Sequence, residues 1–143
     1  MKNTSTTLIE VLLRTIDKVG IKKTIKVLEI SYQNTDDRKI FQGLILLTTC
    51  GVFGISEKTL LTGRKNIADR TNAIGVCAFL LKKMCKYSQR EISYILRKEA
   101  TNINKYIKRF ENLDVNFKSD NDLLIKIRQI EEECMRHYEI NKT

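Results

Sequence analysis

The sequence predicts an all-α protein, a helical bundle with helices added at both ends of a central core. Three observations carry that prediction. Apolar residues recur at the three- and four-residue spacing of a helix, and no sustained two-residue alternation marks a strand. The 143 residues include no proline and only six glycines, so long helices can run without interruption. A chain that is 42% hydrophobic and 30% charged is globular and long enough to bury one proper core.

In order along the chain, Leu8, Val11, Leu12, Ile16 and Val19 form a first apolar stripe, stopped by Gly20. A shorter helix carries Ile21, Ile25 and Leu28, and the polar run Gln33 to Asp37 forms a loop and helix start. Ile40, Phe41, Leu44, Ile45, Leu47 and Val52 make a strongly apolar third helix ending near Gly54. Ser56 followed by Glu57 can cap a short helix holding Leu60 and Leu61, which the basic loop Thr62 to Asn66 breaks. Ile67, Ile74, Cys77, Ala78, Leu81 and Met84 lie in a long, largely apolar and therefore central helix. Two short helices follow at about 88–97 and 101–113, with Ser88 and Thr101 as caps. After a polar linker, Leu123, Leu124, Ile127, Ile130, Cys134 and Tyr138 mark a final helix over about 120–140, capped by Ser119 or Asp120. The expected division is an N-terminal helical hairpin over 1–40, a core over 41–115 and a C-terminal helix over 119–143.

Charge is the most informative feature. Residues 64–109 contain twelve Lys or Arg against three acids, a net of +9, which equals the net charge of the entire chain. Everything outside that stretch is balanced. A cationic excess confined to one third of a small protein points to a polyanion, because neutralised phosphates release condensed counterions. Within the stretch, Ile92, Ile95 and Leu96 face inward from one short helix, and Ile103, Ile107 and Phe110 from the next. A short helix, a tight turn from Arg97 to Ala100 and an amphipathic second helix make up a helix-turn-helix. Asn side chains pair with adenine edges, while Lys and Arg meet guanine or phosphate.

Residues Leu44 to Leu113, about half of the chain, resemble the C-terminal, origin-binding domain of the bacterial replication initiator DnaA, which has a Trp-repressor-like helix-turn-helix core. The resemblance rests on Val52-Phe53-Gly54-Ile55-Ser56 with Leu60, the Arg64-Lys65 loop, the helix Ala73 to Lys83, the run Ser88-Gln89-Arg90-Glu91-Ile92, and Ile103 to Leu113. It implies that Arg64 or Lys65 reaches a minor groove, and that Lys98, Thr101 and Asn102 stand near bases at the start of a recognition helix. The chain departs from the family at Glu99-Ala100-Thr101-Asn102-Ile103, which lacks the family's histidine and has a shorter turn, and at Ala73-Ile74, where the family has Ala-Arg.

Together these readings predict a sequence-specific binder of double-stranded DNA, a regulator of transcription or a replication-origin type of protein, of a host, a phage or a mobile element. Its candidate DNA-contacting residues are Arg64, Lys65, Arg70, Ser88, Gln89, Arg90, Lys98, Thr101, Asn102, Asn104, Lys105, Lys108 and Arg109. The alternative is a helical adaptor whose basic face meets an acidic protein. RNA is disfavoured, since no aromatic platform or glycine-rich clamp is evident.

No enzyme is expected, and no cofactor or metal. The single histidine, His137, lies far in sequence from any partner and is expected at the surface. Gly54 to Thr59 lacks the second glycine of a phosphate loop, and Glu131-Glu132-Glu133 point in different directions on a helix, as a solvated face does. The four cysteines form no C-x-x-C pair and sit in apolar stripes as buried free thiols. No stretch is long enough to span a membrane, and Met1 to Ser5 carry no signal-peptide core, so the expected location is cytoplasmic and nucleoid-associated. The terminal stripes either pack onto the central domain or join two copies as a homodimer, setting recognition helices on successive half-sites. Ile16 to Ile30, with Lys22-Lys23, imitates a second helix-turn-helix without a comparable concentration of charge.

Overall fold

In a computed structural model of the chain, residues 20, 22, 23, 25, 26, 37–63 and 68–142 are described. Helix is their only regular secondary structure, with no strand among them, in agreement with the all-α expectation. The helices are α1 (Asp37–Phe53), α2 (Glu57–Thr62), α3 (Ala68–Cys85), α4 (Gln89–Leu96), α5 (Ala100–Glu111) and α6 (Lys118–Lys142). The hairpin expected before residue 37, including the imitation helix-turn-helix, falls largely outside the described residues. α1 itself begins ahead of the boundary drawn at 40.

α3 is the axis of the molecule and packs against every other helix of this set. Residues Ala73 to Ala78 are all buried, so this helix is apolar around its whole circumference rather than along one stripe. Gly75 permits the closest crossing: a Cβ there would strike the ring of Phe110 on α5. At its far end α3 stops on Lys86, which takes the left-handed conformation (φ 58°) and donates its N–H to the Lys82 carbonyl at 3.1 Å. Arg38 of α1 fastens that end, donating from Nε to the Cys85 carbonyl at 3.0 Å and lying over the Tyr87 ring.

α6 is part of the same core. Leu123, Ile127, Ile130 and Cys134 are buried, and Tyr138 stacks on Phe41 of α1 with ring centroids 4.2 Å apart. The C-terminal stripe is therefore packed within the chain. His137 is buried as well, against the expectation of a surface histidine. It lies three residues after Cys134 and seven after Ile130, on the packed stripe, and that position overrides its polarity. α6 begins at Lys118, so neither Ser119 nor Asp120 caps it; the Asp120 carboxylate accepts the Asp114 N–H at 3.0 Å instead.

All four cysteines are free and buried. Loss of hydration pushes the Cys50 thiol up to about 11 and Cys134 to about 12, and raises Cys77 further. Such thiols stay protonated at neutral pH and are poor nucleophiles. No helix among the described residues is long and apolar enough to cross a membrane.

Candidate nucleic-acid interface

The residues between α3 and α5 assemble from local rules. Ser88 caps α4 through a reciprocal box, its hydroxyl accepting the Glu91 N–H at 3.1 Å while the Glu91 carboxylate accepts the Ser88 N–H at 3.0 Å. The Ser88 N–H, followed by the Ser88 hydroxyl, holds the Glu91 carboxyl below the usual glutamate range. Arg97 ends α4 in the left-handed region (φ 55°), with its own N–H and that of Lys98 both directed to the Ser93 carbonyl. The chain then turns through Lys98 and Glu99 into α5. Gln89 bridges the turn: its Nε2 donates to the Ala100 carbonyl at 2.5 Å, fixing the start of one helix to the start of the other.

The capping position of α5 lies two residues before the Thr101 that its sequence suggested. Glu99 occupies the capping position without a side-chain bond, so Thr101 is not a cap but an exposed member of the first turn. Ile103, Ile107 and Phe110 are buried where α5 packs on α3 and α4, as are Ile92 and Leu96 of α4. At 100° per residue this leaves a ridge of Thr101, Lys105, Lys108 and Asn112 pointing away from the core, and all four are exposed.

A cleft borders this ridge on each side. The first, of about 400 Å³, is lined by Arg70 and Thr71 at the start of α3, by Lys98, and by Asn102, Lys105, Tyr106 and Arg109 of α5. The second, of about 420 Å³, is lined by Phe79, Lys82, Lys83, Lys86, Tyr87 and Glu111. Arg109 and Glu111 project from opposite flanks of α5, so the two clefts lie on either side of the ridge.

The candidate residues do not all share this surface. Asn102, Lys105 and Arg109 converge on the first cleft, Thr101 and Lys108 stand on the ridge, and Asn104 sits half-buried on the opposite flank. Arg70 is only 4% exposed and is chiefly a structural clamp. Its Nε donates to the Thr59 carbonyl at 2.8 Å, an acceptor it shares with the Gly63 N–H at 2.9 Å. Gly63 fits there because a Cβ would crowd Thr59 O and the Arg70 side chain. Lys98 is half-buried and directs its Nζ at the Leu61 carbonyl, 3.4 Å away. The Ser88 hydroxyl and the Gln89 amide are engaged in holding α4 and α5. Arg90 projects from the outer side of α4, and lines neither cleft. Arg64 and Lys65 lie outside the described residues.

Sequence reasoning counted Lys82, Lys83 and Lys86 as charge without assigning them to a site. Lys82 pairs with Glu111 at 2.8 Å and Lys83 with Glu131 at 2.6 Å, so both are partly neutralised within the molecule. Tyr106 was also missed as a cleft wall; its place one turn after Asn102 and three residues before Arg109 was the available signal. Comparison with known proteins yields no match to a family model, to a curated protein or to a solved structure.

Proposed function

We propose that this protein binds double-stranded DNA sequence-specifically, with α4 and α5 acting as a helix-turn-helix and α5 lying in the major groove. The observation that carries this reading is the flanking of one exposed helical ridge by basic clefts on both sides. A groove about 12 Å wide admits a helix, and a helix lying there has a phosphate strand to either side. Lys105, Lys108 and Arg109 are the exposed cations of α5, with Lys86 across the second cleft. Thr101 and Asn102 occupy the first turn, from which a recognition helix reaches base edges. The ridge itself carries no carboxylate.

With about six phosphates neutralised, log affinity falls against log salt with a slope near −5. The double variant Lys105→Glu, Lys108→Glu removes two exposed cations that make no ion pair among the described residues. It is expected to abolish retention of a duplex in a gel shift while leaving the thermal unfolding midpoint unchanged. Undiminished retention by that variant refutes the assigned surface. Absence of any shift by the unmodified protein at moderate salt favours an adaptor with an acidic partner. Selection of bound genomic fragments then distinguishes a transcription regulator from an origin binder.

A further inference from the structure

Tyr94 is the most exposed large hydrophobic side chain among the described residues, at 88%. It stands at the middle of the outer side of α4, directly opposite the buried Ile92 and Leu96, with Arg90 one turn before it and Arg97 three residues after. Neither arginine takes part in an ion pair among the described residues. An aromatic ring held out in water between two cations is a knob, capable of burying 150–250 Å² against a suitable partner, roughly the whole of its surface.

A matching socket lies on the same chain. The outer side of α6 carries a groove of about 340 Å³ lined by Glu131, Glu132, Met135, Arg136 and Glu139. Its three carboxylates outnumber its one guanidinium. Met135 is 43% exposed, a polarisable thioether of the kind that packs well on an aromatic ring. Glu131 is committed to Lys83, which leaves Glu132 and Glu139 as the carboxylates of this groove without an ion pair among the described residues.

The two rows match in register. Along α4 the steps are four residues from Arg90 to Tyr94 and three from there to Arg97. Along α6, run in the opposite direction, they are four from Glu139 to Met135 and three from there to Glu132. At about 1.5 Å per residue both rows span roughly 10 Å. Laid antiparallel, they pair Arg90 with Glu139, Tyr94 with Met135 and Arg97 with Glu132. The parallel alignment also pairs both arginines, Arg90 with Glu132 and Arg97 with Glu139, but sets Tyr94 on the charged Arg136; the antiparallel alignment alone buries the exposed ring against the exposed thioether. Within one molecule the rows do not meet, since α6 packs on α1 and α3.

We infer that α4 of one copy docks antiparallel on the outer side of α6 of a second copy of this chain, through Arg90–Glu139, Tyr94–Met135 and Arg97–Glu132. The contact joins two different surfaces, so copies associate as a reciprocal pair or run on head to tail. It leaves the ridge of α5 clear and does not depend on DNA.

Sedimentation equilibrium of the purified full chain over a range of concentrations tests this. The weight-average mass is expected to rise with concentration, and more weakly as salt is added. Arg90→Glu with Arg97→Glu, and separately Glu132→Arg with Glu139→Arg, should each weaken association about tenfold or more by placing like charges opposite each other. Mixing the two double variants in equal amounts should restore it, because the reversed face of each complements the reversed face of the other. Tyr94→Ala removes the knob without altering charge and should weaken association too. All these positions are exposed, and unchanged helical circular dichroism verifies that the variants fold. A monomer mass at every concentration, or variants that associate as before, or a mixture that fails to recover association, overturns the inference.

Discussion

Gly75 sets how closely α5 approaches α3, because its missing side chain is the space that the Phe110 ring fills. Gly75→Ala is therefore expected to destabilise the fold by about 1–3 kcal/mol despite the better helix propensity of alanine. Urea denaturation reads that loss. Adding Phe110→Leu should cost less in the alanine background than in the parent, since the two changes share one contact. A helical glycine in a sequence does not say which neighbour crosses over it, and this constraint was illegible before the fold. The Ser56 and Ser88 caps were legible, because a hydroxyl at a helix start acts within its own turn; the Ser56 hydroxyl accepts the Thr59 N–H at 3.0 Å. Glu91 extends that local logic to pH. Its carboxyl is held low chiefly by the Ser88 N–H, so its contribution is complete above the unfolded-state value of about 4.3 and disappears as pH falls through the lower folded value. Glu91→Gln keeps a residue able to close the capping box but cannot titrate. The stability difference between parent and variant should be constant near neutrality and shrink in acid. Urea midpoints that differ by the same amount throughout the acid range would show that this carboxylate is not linked to folding.

At the scale of elements, the α4–α5 pair was the most legible part of the chain, since its buried residues recur at strict helical spacing and its turn is short. The cap of its second helix lies two residues before the expected Thr101. A threonine in the first turn resembles a cap, but the left-handed Arg97 closes the turn early enough for Glu99 to take that position. What spacing could not reveal was the charge on the neighbouring helix. Lys82 projects from α3 beside α5 and meets Glu111, an acid that tempers the second cleft. Glu111→Gln frees that ammonium. On the DNA-binding reading, the variant should bind a duplex more tightly than the parent, with a salt slope steeper by about 0.9, one further phosphate contact. Fluorescence anisotropy titrations at several salt concentrations measure both quantities. Equal slopes would remove Lys82 from the phosphate-facing set.

Across the whole molecule, the linear concentration of charge does not tell how many of the cations are available. Arg70 and Lys98 are engaged with carbonyls, and Lys82 and Lys83 with carboxylates, so the remaining described cations of the stretch divide between α5, with Lys105, Lys108 and Arg109, and the segment around α4, with Lys86, Arg90 and Arg97. Tertiary partners supplied by α2, α5 and α6 make that selection, and no local pattern encodes them. The same long-range packing turns α6 from an appended arm into a wall of the core, taking His137 inside with it. Four reduced sulfurs are distributed through this interior, in α1, α3 and α6. An alkylating reagent cannot reach the innermost pair, Cys77 and Cys134, unless helices separate. Their modification rate in native buffer should therefore follow the frequency of opening and rise steeply in dilute denaturant. Prompt labelling of Cys77 in native buffer would contradict this packing. The protein thus carries its own unfolding clock, readable by mass spectrometry without any added probe.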